Sequence, residues 1–335
     1  MKYTRVITLL AASTMLATFS AHAYDKDGDG KQSHHKNHHQ APLHRYTLTG
    51  GATYLAPSIN GLDYLTTQTV TPNTYDPNHL NPNYSWGYFL AFGYMISSHY
   101  DIQASWQQYN SNQSEEKDFS PATAGFIHSA SDFVSAVAAG ATAEATSEEV
   151  LDTQAFDATF GQYHKLSSML TARPFVGVKY AQVNDKTSNT YTTPSIVNGP
   201  NNEIYDSKFS GAGPEIGLDA EFKIVQHFGM TGHVAVAALV GDLQTSTHIY
   251  NAVVDLANVE DEKNNRVIPS LDAKIGLNWN SLYSHDRFGI GIDGGYQVAY
   301  FFDVVDQVTA NDGGIAHNFS DVGIMGPYLN LSARF

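Results

Sequence analysis

The sequence contains no cysteine. Disulfide staples, common in secreted soluble domains, are therefore excluded, and so is thiol chemistry of any kind. Charge is also sparse. Asp, Glu, Lys and Arg make up 15% of the chain, against roughly a quarter in ordinary soluble domains. Basic residues are the scarcer sign, and 18 Lys and Arg against 33 Asp and Glu leave a formal net charge of −15. That balance excludes a basic nucleic-acid-binding surface. Long apolar runs are missing too. No stretch beyond the first residues reaches the ~18 apolar residues that a membrane helix needs.

What is present fits those absences. The chain is rich in Tyr (20), Phe (17) and Gly (27), and its mean hydropathy is slightly negative at −0.27 although it carries few charges. Aromatic and uncharged polar residues make up the difference, a mixture suited to a protein with one face in lipid and the other in water. The 335 residues suffice for one large barrel or two ordinary domains. Lys2 and Arg5, the apolar Val6–Phe19 and the small-residue site Ala21-His22-Ala23 form a secretory signal, so residues 1–23 are expected to be removed after export. Residues 24–44 are polar and His-rich, and a disordered periplasmic segment is expected there.

From Arg45 onward a pattern repeats: an alternating segment, then either a tight turn or a long polar connection. Ten such segments can be read, near Tyr46–Leu55, Tyr84–Ile96, Tyr100–Asn110, Ala155–Lys165, Arg173–Asn184, Lys208–Lys223, Phe228–Asp242, Val267–Asn280, Arg287–Phe301 and Asp321–Phe335. Their period of 2 is that of a strand with two different faces. Phe288, Ile290, Ile292, Tyr296 and Val298 oppose Gly289, Gly291, Asp293, Gly295 and Gln297. Short connections follow the even segments and long ones the odd. These features predict an all-β fold over 45–335: a transmembrane antiparallel β-barrel of about ten strands, with short periplasmic turns and long extracellular loops. It belongs in the outer membrane of a Gram-negative bacterium. The longest connection, Ser111–Leu151, includes an Ala/Ser-rich stretch, Ser131–Glu149, that reads as a short helix or a flexible external loop.

The last segment alternates Leu329, Leu331, Ala333 and Phe335 with Tyr328, Asn330, Ser332 and Arg334. Phe335 is the expected assembly signal, read by the barrel-assembly machinery in proteins that this strand resembles. Charges facing lipid are costly, so alternation assigns Asp101, Asp157, Lys179, Glu215, Asp219, Glu221, Lys223, Asp272, Lys274, Arg287, Asp293 and Arg334 to the lumen. There they either line a water-filled path or pair and fill a narrow barrel; ten strands leave room for little more. Gly289–Gly294 matches GxGxxG but lies inside a strand pattern, where a dinucleotide fingerprint has no helix to open. Asp25–Gly30 resembles the start of a calcium loop but has Lys36 at the twelfth position. His34, His35, His38 and His39 are a candidate weak metal site. No nucleophile motif is present, and loop residues such as His248 and Asp261 are the sole motive for a rim-active hydrolase. No enzyme activity and no cofactor are expected.

Several phrases resemble the Legionella-type major outer membrane protein family: Tyr54-Leu-Ala-Pro-Ser58, Leu62-Asp-Tyr64, Trp86-Gly87, Phe92-Gly-Tyr94, Tyr100-Asp-Ile102, Arg173–Tyr180, Gly211–Asp219, Leu271–Gly276, Gly294–Gln297 and Gly326–Leu329. Their order covers nearly all of the mature chain, and the His-rich segment is not part of it. The resemblance implies a pore-forming outer-membrane protein of porin type that allows passive passage of small solutes or ions, and it supplies no catalytic residues. The alternative is a structural or adhesive barrel with a closed lumen and host-contact loops. Expected partners are outer-membrane lipid and lipopolysaccharide, the assembly machinery, a homo-oligomer and a host surface, with no nucleic acid among them.

Overall fold

The computed structural model describes residues 45–59, 63–70, 73–80, 83–129, 134–194, 199–283, 288–311 and 314–335. The signal sequence, the calcium-loop phrase, the histidine cluster and Arg287 lie outside them. Among the described residues every regular element is a strand. In chain order these are β1 (Tyr46–Ile59), β2 (Asp63–Thr69), β3 (Thr74–His79), β4 (Ser85–Met95), β5 (Tyr100–Phe119), β6 (Gly125–Ser129), β7 (Val134–Val137) and β8 (Ala143–Gln162). They continue with β9 (His164–Lys165), β10 (Leu170–Thr192), β11 (Asn201–Lys223), β12 (Phe228–Tyr250), β13 (Asp255–Tyr283), β14 (Phe288–Asn311) and β15 (Gly314–Arg334).

Ten of them form one antiparallel ring in the order β11-β12-β13-β14-β15-β1-β4-β5-β8-β10, closed by β10 on β11. Closure leaves no free edge in lipid, where an unpaired backbone amide or carbonyl would cost several kcal/mol. Each segment read from the sequence corresponds to one of these strands. Where the chain ends meet, Tyr46 N–H donates to Phe335 O at 2.8 Å and Phe335 N–H to Tyr46 O at 3.0 Å. The two rings stack at 5.9 Å.

Period 2 sorts the side chains. Trp86, Tyr88, Leu90 and Phe92 of β4 are exposed on the outer wall, as are Val176 and Val178 of β10, Ile275 and Leu277 of β13, and Leu329 and Leu331 of β15. Lipid covers this belt in the membrane. The strands run well past it: β10, β11 and β12 have 23 residues each and β13 has 29, whereas about 9–11 tilted residues cross the bilayer. The sequence segments thus mark the membrane-crossing parts, and much of what reads as external loop is paired sheet.

The short helix or flexible loop read over Ser131–Glu149 is the clearest correction. Val134–Val137 is strand β7, and from Ala143 the chain is β8, paired with both β5 and β10. Its Ala and Glu residues favour a helix locally, but two long neighbouring strands offer this backbone a full ladder, and tertiary pairing overrides propensity. Strands β2, β3, β6 and β7 form a separate small sheet at the extracellular end. Its Tyr64, Leu65, Ile127 and Val137 pack on Ala143 and Ala145 of β8 and Tyr191 of β10.

Candidate functional site: the barrel lumen

The inward face has three levels. The lowest is a cavity of about 370 Å³. Asp157, Lys179, Glu215, Asp219, Glu221, Asp272, Lys274 and Asp293 line it. Asp101 is buried beside it, bonded to Arg173. Lys223 is exposed at the periplasmic end of β11, and Arg334 is half-buried near the end of β15; neither belongs to the cavity.

Arg173 organises one side of it and was missing from the candidates named above. Its Nε donates to Asp101 Oδ1 at 2.8 Å, Nη1 to Asp219 Oδ2 at 2.7 Å and Nη2 to Thr159 Oγ1 at 3.2 Å. A Cβ on Gly161 would lie 2.4 Å from Arg173 Nε, so this glycine makes room for the guanidinium. His233 Nδ1 lies 2.6 Å from Asp219 Oδ1, and Gln103 donates to Asp101 Oδ2 at 2.6 Å. Sequence reasoning placed Arg173 at the start of a strand without assigning it a face. Its opposition to the outward-facing Pro174 and Val176 was the available signal.

Lys179 anchors the second group. Its Nζ lies 2.7 Å from Asp272 Oδ2 and 3.4 Å from Asp157 Oδ1, which ties β10 to β13, three positions around the ring. Lys274 of β13 lies over the Phe89 ring of β4 at 4.5 Å. Side chains therefore reach well across the lumen, as a ten-stranded barrel allows. Carboxylates outnumber permanent cations, but acid and base are interleaved. In a partly desolvated space that interleaving is what lets each charge remain.

The middle level is apolar. Leu55, Tyr109, Leu151, Ala181, Val183, Phe209, Leu239, Ile268, Phe301, Val305 and Ile324 form one buried cluster that draws on every ring strand except β4. A bulge strengthens it. The register of β14 and β15 shifts between Phe301 and Val305, and Asp303 sits at φ 50°, with its N–H donating to Asp321 Oδ1 at 2.8 Å. The extra residues let consecutive Val304 and Val305 both point inward.

Above the apolar level lies a second polar band, with Ser111, Glu149, Asp185, Thr187 and Ser207 all buried. Burial pushes the Glu149 carboxyl up to about 7 and the Asp185 carboxyl well above the usual range, helped by Glu149 beside it. The remaining candidates are placed plainly. The GxGxxG phrase lies within β14. His248 pairs with Asp255 at 3.3 Å on the exposed end of β12. The acids Glu116, Asp118 and Glu144 are close together but exposed.

A family model, the Legionella pneumophila major outer membrane protein precursor, matches residues 41–335. The chain belongs to this family. It is an outer-membrane protein, and the ten-strand ring is its membrane-crossing barrel. No curated protein matches it. Among solved structures it is similar to the Escherichia coli outer membrane protease OmpT, at 10% identity and TM-score 0.46, over 88% of this chain and 98% of that one. It is similar also to the translocator domain of the autotransporter NalP from Neisseria meningitidis, at 10% identity and TM-score 0.37, over 98% and 97%. The Pseudomonas putida toluene transporter TodX aligns at 6% identity and TM-score 0.28, over 87% and 90%.

Proposed function

We propose that this barrel is a gated, low-conductance porin for small polar solutes or ions, with no covalent chemistry of its own. One observation carries the reading: a charge-lined cavity of about 370 Å³ lies beneath a continuous apolar layer. The cavity offers polar partners that replace hydration. The apolar layer is the gate, because a narrow hydrophobic constriction excludes water until it widens. Single-channel recording in planar bilayers tests it. Small, intermittent steps are expected from the folded wild type, with larger and longer openings from the Phe209→Ser, Leu239→Ser double variant. Absence of steps from both proteins would overturn the reading.

The apolar layer also favours the alternative, a surface barrel with a permanently closed lumen whose function lies in its extracellular sheet. That reading expects silent bilayers together with loss of host-cell attachment when β2, β3, β6 and β7 are excised.

A further inference from the structure

The buried band above the apolar layer contains a concentration of unused oxygen. Both carboxylate oxygens of Glu149, Oδ1 of Asp185 and Oγ1 of Thr187 are buried without a donor among the described residues, the two carboxyls meeting only each other. The register brings them to one place. Thr187 of β10 lies directly opposite Glu149 of β8. Asp185 of β10 lies opposite Leu151, the next inward residue of β8. Inward-facing neighbours two residues apart on adjacent strands are within reach of one another, so Asp185 and Thr187 of β10 both flank Glu149. Glu149 is 0% exposed, Asp185 3% and Thr187 5%.

Two carboxylates and a hydroxyl in such a space cannot stay as they are. An unsatisfied buried oxygen costs about 1–3 kcal/mol and a buried charge more. In the lower cavity Arg173 and Lys179 bond the acids directly. In this band neither Glu149 nor Asp185 has an ion-pair partner among the described residues. A proton shared between the two carboxyls would satisfy only two of these four oxygens. A hard divalent cation would engage all four at once and neutralise both charges, since calcium takes 6–8 oxygen ligands.

We propose that Glu149, Asp185 and Thr187 form a structural calcium site that locks β8 and β10 together above the lumen gate. The remaining ligands would be water or the side-chain oxygen of Gln113, which faces Glu149 across the strand pair. The site is fully enclosed, so the ion binds as the extracellular sheet closes, and its binding free energy adds to folding stability.

The test is thermal unfolding of the full chain, refolded in detergent micelles with calcium chloride or with a chelator at pH 8. Calcium is expected to raise the wild-type midpoint by several degrees, and elemental analysis after desalting should find about one calcium per chain. The Glu149→Gln, Asp185→Asn double variant should lose both the shift and the bound metal. In chelator it should be at least as stable as wild type, because it no longer buries facing charges. The Glu116→Gln, Asp118→Asn variant, which alters the exposed acids, should keep the full shift. Thr187→Val should weaken binding roughly tenfold and leaves both carboxylates in place as a check should the double variant fold poorly. A wild type with equal midpoints in calcium and chelator would overturn the site in favour of a shared proton. A shift that survives the double variant, or vanishes with the exposed acids, would overturn it in favour of surface binding.

Discussion

The lower and upper polar bands of the lumen are both acidic and both face inward, yet they are built on different terms. Below the apolar layer, Asp101 and Asp219 close on Arg173, while Asp157 and Asp272 close on Lys179, all within 2.7–3.4 Å. Above it, Glu149 and Asp185 face each other without a cation from among the described residues. The first arrangement is self-neutralising and crosses the ring, so it holds strands together at the level of the membrane. The second stores an unfavourable charge that something from solution, a proton or a metal, must relieve. The same residue types serve as a clamp in one place and as a receptor in the other, and the presence of a basic partner makes the difference.

The largest expected effect comes from breaking the clamp. Arg173→Met strands two carboxylates and should destabilise the barrel by about 3–5 kcal/mol, measured as a lower urea midpoint in micelles. Replacing Asp101 and Asp219 by Asn at the same time should recover part of that loss, and no recovery would refute the pairing. Next in size is a test of which face is wet. Leu277→Arg, outward and mid-belt, should cost ~2–4 kcal/mol in bilayers, whereas Thr231→Arg, facing the acid-rich cavity, should cost much less. Equal penalties would contradict the assigned faces.

A smaller effect sharpens the upper band. The folded Glu149 holds its proton up to about pH 7, against 4.5 for an ordinary glutamate. The folded state therefore binds more protons than the unfolded chain in that window, and stability must fall as pH rises through it. In chelator the unfolding midpoint should drop between about pH 4.5 and 7 and then level off, with calcium flattening the curve and Glu149→Gln flattening it without metal. A midpoint that rises across this window would show that the carboxylates are not buried together. The smallest effect concerns the partition between the bands. Asp303 occupies the left-handed region that glycine adopts freely, so Asp303→Gly should change stability by less than about 1 kcal/mol and keep the gate closed. Asp303→Val should straighten the bulge and raise bilayer conductance.

Much of the barrel was readable because the information is local. Val176 and Val178 differ from Gly177 and Lys179 in a way that any two-faced strand must show, and this pattern locates all ten crossings. Above the lipid belt the rule weakens. Outward residues such as Lys208 and Asn112 are polar there, and inward ones such as Glu149 and Phe209 are mixed, so the contrast between faces fades and extended sheet reads as loop. The reading of Ser131–Glu149 as a short helix or flexible loop failed for a related reason, since nothing within that stretch reveals the ladders that β5 and β10 provide.

By itself the sequence determined the period, the number of crossings and which face of most strands meets lipid, because each follows from neighbours one or two residues apart and from the cost of charge in hydrocarbon. Only the closed ring decided which inward groups meet. Arg173 meets Asp101 across 72 residues and Lys179 meets Asp272 across 93, while Glu149 meets Asp185 with no cation between them among the described residues. Those encounters depend on how far the strands are staggered when the sheet closes on itself, and a relation among ten strands cannot be written in any one of them.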